Sequence, residues 1–146
     1  AATIRQAYVD NLEREFAKDR KLLRYAAPAL VQAAEAKLRG EPVDPAVYEH
    51  AAEGLRSQPG GEMIDTVVLA CTHFPLLEEE LGKALGPDVQ FVDGAAGIAR
   101  RIAFLTQGQS FERKEPDIAV FTGTNGDLEK LRPALASYGL DHIEHL

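Results

Sequence analysis

Cys71, Thr72 and His73 are consecutive residues whose types could together carry acid–base or nucleophilic chemistry. Cys71 is the only cysteine of the chain, and a cysteine becomes reactive where its surroundings lower the thiol pKa. His73 could hold the proton of that thiol or exchange it, since the pKa of histidine is about 6.5. Free cysteine is also among the most buried residue types. The triplet alone therefore leaves open whether Cys71 is a reactive thiol or part of the core.

The residues around this triplet predict a strand followed by a helix. IDTVVLA, residues 64–70, is an apolar run rich in β-branched residues, which is typical of a strand covered on both faces. PLLEEELGKALG, residues 75–86, has helical periodicity, with Pro75 near its start and Gly86 at its end. Ligands of parallel sheets bind beyond the carboxyl ends of the strands. A helix N-terminus there lowers a thiol pKa and favours an anionic group such as a carboxylate.

Strands and helices alternate along most of the remaining chain. Further strands are predicted at Lys21–Tyr25 and at residues 89–93, 117–123 and 140–146, and helices at 3–19, 28–40, 45–57, 94–107 and 125–139. Alternation implies parallel pairing through right-handed crossovers. The predicted fold class is α/β, a three-layer fold with a mostly parallel sheet and helices on both faces. The chain opens on a helix with no strand before it, so we expect an upstream part.

Composition argues against several functional classes. With 45% hydrophobic and 27% charged residues, the sequence is that of an ordinary globular protein. A net charge of −7 argues against nucleic-acid binding, and we expect Arg100-Arg101 to be a solvated helix face. No apolar run approaches the roughly 18–20 residues that cross a bilayer, and no secretory signal is visible. One cysteine cannot form an internal disulfide, which fits a reducing cytoplasm.

Other polar motifs give weaker signals. Cys71 and His73 form no zinc spacing with His50, His142 or His145, so no metal site is expected. The turn at Phe121–Asp127 lacks the lysine of a phosphate loop, and Val92–Gly97 lacks the dinucleotide spacing. We interpret the first as an ordinary turn and the second as tight strand-to-helix packing. Glu35 lies in a predicted helix and, by its own pattern, is expected on the surface.

LACTHFPLL, residues 69–77, resembles the second signature of the glutamate racemases, which is a glycine (here Ala70), Cys-Thr-His, Tyr or Phe, and Pro-Leu-Leu. TIRQAY, APALVQAAEAKLRGEP and VDGAAGIARRI resemble three further segments of that family in the same order. Related aspartate racemases tend to carry glutamate where His73 stands. The resemblance covers nearly the whole chain and implies the second half of such an enzyme. Residues 1–92 would be its second α/β domain, and residues 93–146 a C-terminal segment that completes the first domain.

The resemblance implies a cofactor-independent racemisation of L-glutamate to D-glutamate, which supplies peptidoglycan synthesis. Two cysteines on opposite faces of the substrate exchange its α-proton. Cys71 would be one of them, Thr72 would bind glutamate beside it, and His73 and Glu35 would complete the catalytic group on that side. A homodimer is expected. The family's Ala-Cys-Asn-Thr and Asp-Ser-Gly motifs do not occur in this sequence, so the chain is not expected to racemise alone.

Two other functions stay open at this point. One is a related racemase or ammonia-lyase-like isomerase of the same fold that acts on another substrate. The other is a non-enzymatic α/β module in which the lone thiol is structural. If the upstream half is absent, residues from about Asp93 onward should show apolar faces and sheet edges without their normal partners.

Overall fold

The computed structural model of the chain describes residues 7–112, 114–123 and 128–146. From residue 66 onward short strands and helices alternate as the sequence predicts, whereas the first three helices follow one another without a strand between them. The helices are α1 (Ala7–Phe16), α2 (Ala29–Leu38), α3 (Ala46–Arg56), α4 (Glu78–Leu85), α5 (Ala95–Leu105) and α6 (Leu128–Ser137). The strands are β1 (Thr66–Val68), β2 (Gln90–Val92), β3 (Ile118–Phe121) and β4 (His142–His145). The start of the first predicted helix, residues 3–6, and most of the predicted turn, residues 124–127, lie outside the described residues.

Every strand pair of the described chain is parallel. β1 pairs with β2, with Val67 opposite Phe91, and β3 pairs with β4, with Ala119 opposite Ile143. A helix, α4 or α6, connects the strands of each pair, as parallel pairing requires. The α/β class and the parallel pairing are confirmed, although the described strands form two separate two-stranded sheets in place of one larger sheet.

The strand predicted at Lys21–Tyr25 is wrong. Residues 21–27 form neither strand nor helix, and no strand of the described residues pairs with them. Side chains fix the segment instead. Lys21 donates to the carbonyl of Pro59, and the Tyr25 ring lies so close to Gly54 that a Cβ there would overlap it. An apolar run has β character only where a second strand can accept its hydrogen bonds.

The core of the described residues lies among α2, α3, α4 and the segment between β1 and α4. Leu77 has 0% of its surface exposed and is the largest fully buried side chain of the described residues. The other buried members of this cluster are Leu30, Ala33, Ala34, Tyr48, Ala51, Ala52, Leu69, Leu81, Ala84 and Leu85. The prediction that β1 is covered on both faces is wrong, because Val68 is 62% exposed. The core therefore fixes the stretch that follows β1, which carries the Cys71 triplet.

Helix α5 has an apolar surface that nothing in the described chain covers. It contains no buried residue, and Ile98, Ile102, Phe104 and Leu105 are all more than half exposed. This agrees with the expectation of unpartnered apolar faces after about Asp93. No helix of the described residues has both the length and the apolar character needed to cross a membrane.

Candidate active site

Cys71 lies beyond the carboxyl end of β1, where the sequence places it. Strand pairing continues one residue past the strand, because the Leu69 amide donates to the Val92 carbonyl at 2.8 Å. The Ala70 amide then donates to the Val68 carbonyl at 3.0 Å, and this tight turn takes the chain out of the sheet. A residue at the carboxyl end of a parallel strand faces the edge where such sheets bind ligands.

A short 3₁₀ turn, Phe74–Leu77, follows the thiol and leads into α4. His73 is its N-terminal cap, and the Phe74 amide donates to the Cys71 carbonyl at 3.2 Å. The helix predicted to begin near Pro75 thus has a 3₁₀ first turn. Leu77 closes this turn and is fully buried, so the core holds the loop that carries Cys71 and His73.

The structure brings Cys71, His73 and Glu35 into one chain of polar contacts. The Cys71 Sγ lies 3.8 Å from His73 Nδ1, and His73 Nε2 lies 3.1 Å from Glu35 Oε1. Both ring nitrogens therefore face a partner, the thiol on one side and the carboxylate on the other. Cys71 is partly buried, and the side chains of His73 and Glu35 are 30% and 47% exposed. The contacts are accessible to a ligand from solvent.

The same contacts change the acidity of the thiol and of the imidazole. Partial burial raises the pKa of Cys71, but the amide and the ring of His73 and the Phe74 amide outweigh it, so the thiol pKa is lowered. The hydrogen bond to Glu35 raises the pKa of His73, and the contact with Cys71 adds to it. A carboxylate that stabilises imidazolium beside a thiol favours the thiolate–imidazolium pair. The arrangement therefore favours the thiolate at Cys71 more than an isolated cysteine side chain would.

Helix α2 carries Glu35 to the loop from 38 residues earlier in the chain. One face of α2 is in the core, with Ala34 at 0% exposure. One turn further along, at the edge of the same face, Lys37 donates to the Leu76 carbonyl at 2.8 Å and pairs with Glu80 at 2.7 Å. These contacts dock α2 on the 3₁₀ turn. Glu35 is thus a half-exposed residue, as its own pattern predicts, and it also contacts the Cys71 loop.

The remaining candidates lie around this chain of contacts without joining it. Thr72 is exposed, between Cys71 and His73. A cavity of about 340 Å³ is lined by residues of α2, α3 and α4 that include Lys37, Tyr48 and Glu80, and the triplet is not part of it. In the part of the chain that the structure describes, no group of three or more His, Cys, Asp or Glu residues is arranged to hold a metal ion.

Sequence reasoning missed Arg39, which contacts Glu35. Its Nη1 lies 3.4 Å from Glu35 Oε2, and its Nε lies 3.0 Å from Glu41 Oε2. The spacing of four residues between Glu35 and Arg39 on a predicted helix is the signal that could have identified this pair.

Comparison with known proteins identifies the relatives of this chain. No protein-family model matches. The glutamate racemase of Sphingopyxis alaskensis is 53% identical over 98% of this chain and 54% of its own length. Those of Serratia proteamaculans and Escherichia coli are 38% and 37% identical over 99% of the chain. The chain is homologous to glutamate racemases. It spans about half the length of the curated relatives that it matches.

Solved glutamate racemases share the fold of this chain. The crystal structure of the Escherichia coli enzyme, in complex with L-glutamate and the activator UDP-MurNAc-ala, matches 99% of the chain with a TM-score of 0.85 and 34% identity. That match covers 54% of the Escherichia coli chain. A Bacillus anthracis glutamate racemase isoform matches 95% of the chain with a TM-score of 0.67 at 23% identity, which supports the fold alone. The resemblance predicted from CTHFPLL is confirmed.

Proposed function

We propose that this chain supplies one of the two acid–base thiols of a cofactor-independent glutamate racemase. The observation that carries the proposal is the contact chain from Cys71 through His73 to Glu35, found in a chain homologous to glutamate racemases. The lowered thiol pKa adds chemical support, because proton abstraction from carbon needs a thiolate. Thr72, exposed beside the thiol, would bind the glutamate carboxylate through its hydroxyl and amide.

In the proposed reaction, thiolate and thiol exchange roles across the substrate. One thiolate takes the α-proton of glutamate, which leaves a carbanion stabilised by the carboxylate. A thiol on the opposite face then delivers its proton to the same carbon and becomes a thiolate. One proton is taken and one is given, so no oxidant or cofactor is needed. Cys71 acts on one face, with imidazolium at His73 stabilising its thiolate and Glu35 stabilising the imidazolium.

We further propose that residues 1–92 form a second α/β domain and that residues 93–146 complete a first domain. The exposed apolar side chains of α5 support this, because monomeric proteins rarely leave such a face uncovered. The half of the relatives that this chain does not match would supply both the cover and the second thiol. The full enzyme would be a cytoplasmic homodimer that makes D-glutamate for peptidoglycan, and hence contributes to cell-wall biogenesis and cell shape.

A chimera tests the proposed reaction. The half of the Sphingopyxis alaskensis enzyme that this chain does not match would be joined to the chain, and L-glutamate would be converted to D-glutamate while circular dichroism is recorded. We expect conversion from both enantiomers, insensitive to a metal chelator, with solvent deuterium incorporated at the α-carbon. Cys71→Ser should abolish conversion, and His73→Asn should slow it by about 100-fold, the lower range for general acid–base groups. The exposed His50 provides the matched control, since His50→Asn should leave the rate unchanged.

Four outcomes would overturn parts of this proposal. Normal racemisation by the Cys71→Ser chimera would exclude Cys71 as an acid–base group. Conversion of aspartate or hydantoin-type substrates in place of glutamate would indicate a related isomerase. Slow alkylation of Cys71 in the folded chimera, without protection by glutamate, would indicate a structural thiol. Light scattering on the chimera tests the homodimer, which a monomeric mass would contradict.

A further inference from the structure

Arg39 lies between two carboxylates, one of which belongs to the Cys71–His73–Glu35 chain. Its Nη1 donates to Glu35 Oε2 at 3.4 Å and its Nε to Glu41 Oε2 at 3.0 Å. The Arg39 side chain is 22% exposed, less than that of Glu35 (47%) or Glu41 (33%). The side chain of Arg39 is thus the most enclosed of the three.

Both oxygens of the Glu35 carboxylate have a separate partner. Oε1 faces His73 Nε2 at 3.1 Å, and Oε2 faces Arg39. A half-exposed carboxylate held at one oxygen can rotate into water, whereas two partners on opposite oxygens fix its orientation. The contact with Arg39 therefore determines whether Oε1 stays aimed at the imidazole.

The backbone at the end of α2 fixes the second partner of Arg39. The Gly40 amide donates to the Lys37 carbonyl at 3.0 Å, and the Glu41 amide donates back to the Ala36 carbonyl at 2.9 Å. Gly40 has a φ of +68°, so this is the left-handed turn that commonly ends helices. The turn folds Glu41 back beside Arg39. The turn thereby places a second carboxylate beside the Arg39 guanidinium, and a helix end does not by itself need one there.

Glu41 is in turn held by a residue of α6. Lys130 Nζ lies 2.8 Å from Glu41 Oε1, so the two carboxylate oxygens of Glu41 are shared between Lys130 and Arg39. The hydrogen bond from Lys130, followed by that from Arg39, lowers the pKa of Glu41, which keeps the carboxylate charged. A continuous series of contacts thus runs from α6 through Glu41, Arg39 and Glu35 to the imidazole beside the thiol.

We propose that Arg39 is a positioning residue that holds the Glu35 carboxylate against His73 and so sets the reactivity of Cys71. Its effect on turnover rests on the proposed racemase function, but its effect on the thiol does not. The alternative roles of Arg39 predict different outcomes. As a helix-end stabiliser alone, Arg39 would change the unfolding free energy and leave the thiol unchanged. As a bare positive charge, it would act through its charge alone, so Arg39→Lys, which keeps that charge, would leave the thiol unchanged. Positioning predicts a change in Arg39→Lys as well as in Arg39→Met.

The experiment measures alkylation of the 146-residue chain by iodoacetamide from pH 5 to pH 10, followed by intact mass. The single cysteine makes each modification event report Cys71. For Arg39→Met we expect the midpoint of the rate–pH profile to move to higher pH and the rate at pH 7 to fall about twofold or more, because thiolate is the reacting form. Arg39→Lys keeps the charge but offers one nitrogen for two carboxylates, so it should move the midpoint in the same direction by less.

Arg132→Met is the matched control. Arg132 forms an exposed pair with Glu129 at 2.8 Å, outside the contact series, and its removal should leave the profile unchanged. Glu41→Gln, which weakens the anchor of Arg39 without altering Glu35, covers the case in which Arg39→Met does not fold by far-UV circular dichroism. It too should move the midpoint upward.

An unchanged or lower midpoint in the folded Arg39 variants, or in Glu41→Gln, would overturn the positioning role. In the chimera, Arg39→Met should lower kcat and leave KM nearly unchanged. If the unsubstituted chimera fails to racemise while Arg39→Met still raises the alkylation midpoint, the positioning role stands and the proposed function is refuted. If the chimera with Arg39→Met racemises at the normal rate and the midpoint of its alkylation profile is unchanged, the positioning role is refuted and the proposed function stands.

Discussion

Leu77→Ala tests whether the core holds the Cys71 loop. Leu77 has 0% exposure and belongs to the 3₁₀ turn that His73 caps. The substitution removes three carbons from a fully buried side chain, which costs about 2.4 kcal/mol at about 0.8 kcal/mol per carbon. The cavity left behind adds to this, because neighbouring helices relax only in part. Observed Leu→Ala costs of about 2–5 kcal/mol make about 3–4 kcal/mol the expected loss here.

Tyrosine signals provide the assay for this loss. The chain contains four tyrosines and no tryptophan, and Tyr48 is buried in the same cluster as Leu77, with Tyr25 packed against it. Urea titration followed by near-UV circular dichroism therefore reports unfolding of the core that surrounds the turn. A loss of about 3–4 kcal/mol is a large fraction of the roughly 5–15 kcal/mol that stabilises a domain. The midpoint in urea should fall accordingly, with the slope unchanged.

Ile98→Ala is the control for the Leu77 prediction. Ile98 is 62% exposed on α5, so its truncation should change the free energy of unfolding by less than about 0.5 kcal/mol. A cost below about 1 kcal/mol for Leu77→Ala, or an equal cost for Ile98→Ala, would refute the assignment of the core to the α2–α4 side. The alkylation rate of Cys71 is also compared between folded and unfolded Leu77→Ala protein at pH 9, where both forms hold thiolate. A faster rate in the unfolded protein would show that the fold also shields the thiol.

Further outcomes concern the thiol and two glycines. Because folding lowers the Cys71 pKa, the alkylation midpoint of the native chain should lie below that of the urea-unfolded chain, and a midpoint at or above it would contradict the geometry. Glu35→Gln removes the main group that raises the His73 pKa, so it should raise the alkylation midpoint, and an unchanged profile would dismiss Glu35. Gly54→Ala should destabilise the chain by about 1–3 kcal/mol in urea, because its Cβ would overlap the Tyr25 ring. Gly82→Ala, with space for a Cβ inside α4, should stabilise the chain by about 0.5–1 kcal/mol. Equal effects of Gly54→Ala and Gly82→Ala on the free energy of unfolding would contradict the packing around these two glycines.

Local sequence signals predicted the elements but not what they contact. The helical periodicity that ends at Gly40 corresponds to α2, because helix hydrogen bonds are made within the segment itself. The failed strand at Lys21–Tyr25 is the opposite case, since a strand exists only where a second strand pairs with it. The cover expected over β1 is a different case, because β1 does pair with β2 and Val68 is nevertheless 62% exposed. An apolar run indicates residues suited to burial, but not which element packs over them.

The contacts of the candidate site were harder to predict the further apart their residues lie along the chain. Cys71 and His73 are two residues apart, so a single turn brings them together, and their possible interaction was visible in the sequence. Glu35 lies 38 residues before His73, and only the resemblance to glutamate racemases pointed to it. The pattern of its own helix indicated a surface residue, and at 47% exposure it is one. Exposure and participation in the site are compatible here because the site itself opens to solvent.

The groups that contact the Cys71 thiol directly come from its own loop. The amides of His73 and Phe74 belong to the loop that carries Cys71, and His73 occupies the N-cap position of the next turn. Such a loop can lower a thiol pKa without any contact from the far side of a substrate. In the proposed reaction, an opposing proton donor would need no part in that activation and would have only to face the same carbon. A chain that spans about half of its relatives' length thus holds a thiol with its own activating contacts, and the reactivity of that thiol is measurable in this chain alone.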